Sequence, residues 1–253
     1  VDDNPDMTDF LKRTFEGYFK RIIIAGDGVE ALQLVRSHVP DIIVSDVMMP
    51  RMNGYKLCKT IKEDINISHI PVILLTARDD RQSQISGYKN GADGYLSKPF
   101  EVEMLMELIR NRLKNREYTK KRYLNAGLIP TPEESTISLT DETFLIKLNS
   151  IIQENIENSN LGIQFICQEV GLGRSSLYNK LKALTGMGAN EYISKLRIEK
   201  AITLISGTDM PFSEIAEKTG FTTPSYFSTA FKQYTGETPS QYKERKKKGL
   251  ADK

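Results

Sequence analysis

Residues 41–50 read DIIVSDVMMP. Asp41 opens an apolar run, Ile42–Val44, that is too short for a stable helix and β-branched throughout, so it predicts a strand. The run closes on Ser45 and Asp46, which puts a carboxylate at the strand's carboxyl end, and Pro50 rules out its continuation. Comparable runs stand at Arg21–Ala25, Pro71–Leu75 and Gly94–Leu96. Helix-period segments separate them at about Met7–Phe19, Val29–His38, Tyr55–Glu63, Arg81–Asn90 and Glu101–Asn115. Near-continuous apolar strands alternating with helices predict a parallel sheet covered on both faces. A further strand would end at Asp3, but the chain opens at Val1 with no initiator Met, so it reads as a piece of a longer protein.

At 253 residues the chain accommodates two domains. With 39% hydrophobic and 27% charged residues it lies near the globular average, which excludes global disorder. No apolar run approaches the ~18–20 residues of a membrane span, and Val1-Asp2-Asp3 lacks the features of a signal peptide. Cys58 and Cys167 have no metal-ligand spacing, so a reduced, cytoplasmic setting is expected. Charge is uneven along the chain. Residues 1–115 hold 16 Lys/Arg against 17 Asp/Glu, whereas residues 163–253 hold 14 against 9. The basic back half points to a polyanionic partner.

After residue 115 the pattern changes. Residues 116–140 are polar, with Pro130 and Pro132, and read as a linker whose first part prolongs the preceding helix. Beyond it no strand signal occurs, and an amphipathic helix is expected over Asp141–Asn158 with Asp141 as its N-cap. The back half then repeats itself. Ile166–Gly171 corresponds to Ile215–Gly220, and Leu177, Leu181, Leu184, Thr185 and Gly186 correspond to Phe227, Phe231, Tyr234, Thr235 and Gly236. Each unit is a short helix, a Gly turn and a second helix, the helix-turn-helix pattern, with a helical segment over Asn190–Ile205 between them.

In an open α/β sheet, ligands collect outside the carboxyl ends of the strands. Asp2, Asp3, Asp46, Thr76 and Lys98 all fall there. Three carboxylates brought together would repel unless a hard cation such as Mg²⁺ neutralised them, with Lys98 supplying the remaining charge. An incoming phosphoryl group would then meet a metal and an ammonium.

These residues carry a resemblance. Asp2-Asp3, the DVMMP run, Thr76-Ala77 and Lys98-Pro99-Phe100 resemble the receiver domain of bacterial two-component response regulators. The resemblance implies a doubly wound five-stranded parallel sheet in the order 2-1-3-4-5. It implies Asp46 as acceptor of a phosphoryl group from a histidine kinase, and Asp2, Asp3, Asp46 and the Met48 carbonyl as Mg²⁺ ligands. Thr76 and Lys98 would contact the phosphoryl oxygens, Thr76 and Tyr95 would act as switch residues, and Lys98–Pro99 would be a cis peptide bond. The bland alternatives are an Asp that caps a turn, a strand-ending Thr and a solvated Lys. A hydrolase working through an aspartyl phosphate needs a proton-transferring group two residues after the nucleophile, and Met48 is not one.

In a helix-turn-helix the second helix lies in the major groove. For the first unit this is about Arg174–Leu184, leaving Arg174, Ser175, Tyr178, Asn179 and Lys182 toward DNA. For the second it is about Pro224–Tyr234, with Thr223, Ser225, Tyr226, Ser228, Thr229 and Lys232 outward. Arg and Asn suit base edges, and Lys180, Lys182 and Lys232 suit phosphates. GRSSLYNKLKALTG and EIAEKTGF…SYFSTAFKQYTGETPSQY resemble the DNA-binding domain of the arabinose-regulator (AraC/XylS) family, which implies seven helices and two successive major-groove contacts. Gly173 replaces the family's usual capping Ser or Thr, and Lys246–Lys248 is expected to be a disordered tail.

The expected organisation is a receiver domain over 1–115, a linker over 116–140 and an all-α effector over 141–253. Together they imply a phosphorylation-controlled, DNA-binding transcription regulator that is not itself an enzyme. It would bind double-stranded DNA, dimerise when phosphorylated and make no membrane contact, with RNA polymerase a further candidate partner. The arrangement resembles the C-terminal part of hybrid two-component sensors from gut Bacteroides-like bacteria, whose upstream kinase shares the chain and whose parent is membrane-anchored. The rival from another class is a phosphate-independent interaction protein with an idle receiver pocket.

Overall fold

The computed structural model describes residues 1–77, 91–125 and 138–251, with residues 119, 121–125 and 247–251 as backbone only. The helix expected at Arg81–Asn90 and the linker stretch 126–137 lie outside the described residues. Two compact units form, one centred on Val1–Asn125 and the other on Phe144–Lys182 and the chain from Gly186 onward.

The first unit runs α1 (Pro5–Phe15), α2 (Gly28–His38), β1 (Ile43–Asp46), α3 (Gly54–Glu63), β2 (Val72–Ala77), β3 (Gly94–Lys98) and α4 (Val102–Asn125). Short polar residues start the helices. The side chains of Asn4, Asp27 and Asn53 accept backbone N–H groups in the opening turns of α1, α2 and α3. Pro5 adds its preset φ at the first position of α1. The fourth helix runs on past Asn115 as far as Asn125, the prolongation expected of the first part of 116–140.

The sheet pairs β1, β2 and β3 in parallel, in that order, with Ile43 opposite Val72 and Ile73 opposite Gly94. Successive residues of β2 point to opposite faces. Val72 and Leu74 join the core beneath α2 and α3, and Ile73 and Leu75 join a second core with Phe15, Leu105 and Ile109. That is why the strand reads as apolar throughout.

Of the five expected strands, three form ladders among the described residues. The Asp46 amide donates to the Val1 carbonyl at 2.8 Å, and the Asp2 amide donates to the Ala25 carbonyl at 3.2 Å. Val1-Asp2 thus lies between β1 and Ala25, where the order 2-1-3-4-5 puts strand 1. Among the described residues neither this segment nor Arg21–Ala25 is part of a ladder.

The second unit has seven described helices: α5 (Leu139–Glu154), α6 (Ile163–Val170), α7 (Arg174–Thr185), α8 (Ala189–Gly207), α9 (Phe212–Lys218), α10 (Pro224–Thr235) and α11 (Pro239–Ala251). The expected cap at Asp141 is displaced: α5 starts earlier, and the Ser138 hydroxyl accepts the Asp141 amide at 3.2 Å. The repeat recurs in the backbone. Gly171 and Gly220 both take the left-handed conformation in the turns, at φ +75° and +71°. Gly186 and Gly236 end the two recognition helices the same way. Leu177 and Leu181 are buried in the first unit, and Phe227 and Phe231 in the second. Phe221, Phe227, Phe231 and Tyr242 form a run of ring contacts 5.4–5.7 Å apart. The expected disorder at Lys246–Lys248 is not found, since α11 extends to Ala251 through a run rich in helix-forming Lys, Arg and Glu.

Candidate phospho-acceptor pocket and nucleic-acid interface

Parallel pairing brings the carboxyl ends of β1, β2 and β3 to one edge, where the chain carries Asp46, Thr76 and Lys98. The Lys98 Nζ lies 2.6 Å from Asp46 Oδ1 and 2.9 Å from Asp2 Oδ2. Burial pulls the Lys98 ammonium down, but its bonds to Asp46 and Asp2 outweigh this and hold its pKa above the ordinary lysine value. The other Asp46 oxygen accepts the Met48 amide at 3.0 Å, and Asp2 Oδ1 accepts the Asn4 amide at 2.9 Å. Asp2 and Asp46 are buried and Asp3 is exposed, yet a carboxylate oxygen from each lies within 4.8 Å of the others. Three carboxylates and one ammonium leave two negative charges uncompensated, an all-oxygen donor set suited to a hard divalent cation.

Thr76 is 1% exposed, and its hydroxyl has no hydrogen-bond partner among the described residues. Tyr95 is half-buried two residues after Asp93 on β3, and Lys98–Pro99 is cis.

Two supports for the acceptor escaped the sequence reading. A Cβ on Gly54 would sit 2.2 Å from the Asp46 carbonyl oxygen, so only glycine lets the start of α3 close on the acceptor strand. Asn53-Gly54 was the available signal. Buried Asp27 pairs with Arg51, tethering the loop that follows Asp46. Nothing in the spacing of Asp27 and Arg51 announces that pair.

On the second unit, Arg174, Ser175, Tyr178 and Lys182 of α7 are exposed and Asn179 is half-buried. Ser225, Tyr226, Thr229 and Lys232 of α10 are exposed, and Ser228 is half-buried. Exposed Thr223 also caps α10, accepting the Tyr226 amide at 3.2 Å. Gly173 gives α7 no side-chain cap. Lys180, expected to meet phosphate, is instead fully buried, with Nζ 5.1 Å from the centre of the Phe144 ring. It stands three residues after Leu177 and four before Leu184, on the apolar face of the helix.

Comparison with known proteins separates the same two parts. Residues 1–110 match the response regulator receiver domain family, and residues 166–245 match a helix-turn-helix domain family. The response regulator MprA of a Mycobacterium species is 35% identical over 159 residues, which are 58% of this chain and 67% of that protein. The chain belongs to the response regulators. Its second part carries a helix-turn-helix domain, the fold element that places a helix in the major groove of DNA.

Histidine kinase P4 of Formosa agariphila is 40% identical to the regulator over 245 residues, which are 97% of this chain and 18% of that kinase. The regulator spans about half the length, or less, of the curated relatives it matches first. Among solved structures, a response regulator from Chloroflexus aurantiacus is 34% identical over 45% of this chain and 93% of its own, with a TM-score of 0.43. The C-terminal domain of AraT, a response regulator from Geobacillus stearothermophilus, is 31% identical over 40% of this chain and 84% of its own, with a TM-score of 0.38. No helix among the described residues is long and apolar enough to cross a membrane.

Proposed function

We propose that Asp46 accepts a phosphoryl group from a histidine kinase and that this controls DNA binding by the basic half. The observation that carries the reading is the bridge from Lys98 Nζ to both Asp46 and Asp2 at the carboxyl edge of the sheet. In the transfer, an Asp46 oxygen forms the new bond to phosphorus as the phosphorus–nitrogen bond to the kinase imidazole breaks, and the imidazole takes up a proton. Asp2, Asp3, Asp46 and the Met48 carbonyl are the groups that would hold Mg²⁺ there. When bound, the ion supplies positive charge against the phosphoryl oxygens. Lys98 keeps its proton throughout and shifts from the carboxylates to the new oxygens, and Thr76 donates to another of them. Tyr95 then follows Thr76 inward. The chain is an acceptor and not itself an enzyme.

Residues 1–115 serve as the receiver, 116–140 as the linker and 141–253 as the effector. The setting is the bacterial cytoplasm, and the kinase lies on the same, membrane-anchored parent chain. The match to 18% of a histidine kinase supports that arrangement. DNA is read by Arg174, Ser175, Tyr178, Asn179 and Lys182 and by Thr223, Ser225, Tyr226, Ser228, Thr229 and Lys232. RNA polymerase is the partner through which bound protein would act on transcription.

Selection of duplexes from a random pool, with and without phosphorylation, tests the control. Phosphorylated protein should enrich its motif more strongly, and identical enrichment in both states would mean an idle pocket. With the selected duplex in hand, reading separates from holding. Arg174→Ala and Asn179→Ala should each reduce discrimination between target and random DNA by ~1–3 kcal/mol. Lys232→Ala should weaken both equally and lower the salt dependence by about one phosphate contact. Uniform losses in all three variants would remove the base-reading roles.

A further inference from the structure

The turn of the second helix-turn-helix unit and the turn that enters the first meet at one side chain of the helix between them. Arg197, in the middle of α8, sends Nη2 to the Asn158 carbonyl at 2.7 Å, in the turn that leads from α5 toward the first unit. The same guanidinium lies 5.9 Å from the centre of the Phe221 ring, in the turn of the second unit. Phe221 is buried and packs edge-on against Tyr226, which is exposed on the second recognition helix, at 5.7 Å.

Gly220 shows how closely these parts approach. A Cβ there would lie 2.2 Å from the Ile156 carbonyl oxygen and 2.9 Å from Arg197 Nη2, and φ is +71°. The turn of the second unit is therefore seated on the chain entering the first, with Arg197 alongside. One turn along α8, Lys200 reaches Glu157 at 2.9 Å, an exposed pair of little energetic weight. Arg197 is different in kind, since its planar group is half-buried and makes a hydrogen bond and a ring contact at once. Burial lowers its pKa, in keeping with a group drawn out of water to make those contacts.

We propose that Arg197 is a positioning residue for DNA reading: it clamps the turn of the second unit to the entry of the first and so fixes the separation of the two recognition helices. It touches no base itself. Helices that enter successive major grooves must stand about one DNA turn apart, ~34 Å, so a loosened clamp degrades the register between half-motifs before it degrades either one. The inference rests on both units engaging DNA together.

The test uses the full chain and duplexes selected from a random pool by the parent protein. Affinity is measured on the selected duplex and on versions with one or two base pairs inserted or removed between the half-motifs. Arg197→Met keeps the stem against Phe221 but removes the fork. For the parent, each change in spacing should weaken binding roughly 10-fold, the scale of one mismatched base pair. For Arg197→Met the selected duplex should bind roughly 10-fold more weakly, while the penalty for altered spacing falls to about 3-fold or less. Lys200→Ala should behave as the parent.

A spacing penalty in Arg197→Met equal to the parent's overturns the proposal, whatever its affinity. Thermal unfolding of each variant identifies a failure to fold. In that case Arg197→Gln, which stays polar but is too short and uncharged to hold both partners, takes its place, and an unchanged penalty there is equally decisive. A one-part motif selected by the parent would overturn the joint engagement of the units, and the proposal with it.

Discussion

Incubated with acetyl phosphate and Mg²⁺, the regulator should acquire one acid-stable, base-labile phosphoryl group, and Asp46→Asn should acquire none. Labile behaviour in base distinguishes an acyl phosphate from a phosphoester, so the chemistry itself reports a carboxylate nucleophile. Asp46 is the acidic residue that Lys98 touches at 2.6 Å and that ends β1. Amide at that position keeps the shape but removes the nucleophile. Chelation should abolish labelling, because without the cation an incoming phosphoryl group meets the carboxylates of Asp2, Asp3 and Asp46 together. Lys98→Ala should slow it ~10²–10³-fold, the usual cost of removing one preorganised charge from a phosphoryl site. Mass spectrometry of the intact chain and of its peptides measures all four outcomes. Equal labelling of Asp46→Asn and the parent would move the acceptor elsewhere.

The second large effect concerns DNA carrying two sites. Phosphorylation should raise affinity for a paired-site duplex ~10²–10⁴-fold while affinity for a single site barely changes. On the proposed reading, phosphoryl oxygens would give Thr76, whose hydroxyl has no partner among the described residues, an acceptor, and Tyr95 would then follow it. The α4 surface carries Glu103, Glu107, Arg110 and Lys114, both charge signs on one helix, which suits a symmetric contact between two copies. Once two copies are joined, binding of the second effector is nearly intramolecular. Titration of one-site and two-site duplexes with phosphorylated, unphosphorylated and Asp46→Asn protein reads this directly. An equal gain on the single site would replace dimerisation by unmasking of the effector.

The helices were legible because their signals are local. Apolar periodicity located them, whereas the caps at Asn4, Asp27 and Asn53 that start three of them were not singled out, and α1 runs Pro5–Phe15 where about Met7–Phe19 was expected. The pocket was legible as residues at strand ends, because in a parallel sheet sequence position alone determines which edge they share. The geometry that supports them was not. Gly54 against Asp46, and Asp27 with Arg51, are contacts between segments whose approach depends on loop paths. One apolar run gave no ladder: Arg21–Ala25 has the composition of a strand, but its neighbour would be the strand ending at Asp3, of which the chain holds only the last residues. Lys180 was misplaced because residue type was weighed above helical phase, which sets it on the same face as Leu177 and Leu184.

The unequal starts of the two recognition helices bear on how the protein settles on a duplex. In α10 the Thr223 side chain occupies an opening amide, so that end is already satisfied from within. In α7 Gly173 offers no such group, so its opening turn carries the positive end of the helix dipole without a side-chain cap. A backbone phosphate is the anion a groove-bound helix meets first. The two halves of the repeat, alike in outline, thus differ at the start of their second helices, and on the proposed reading only the first would have its opening turn completed by the duplex.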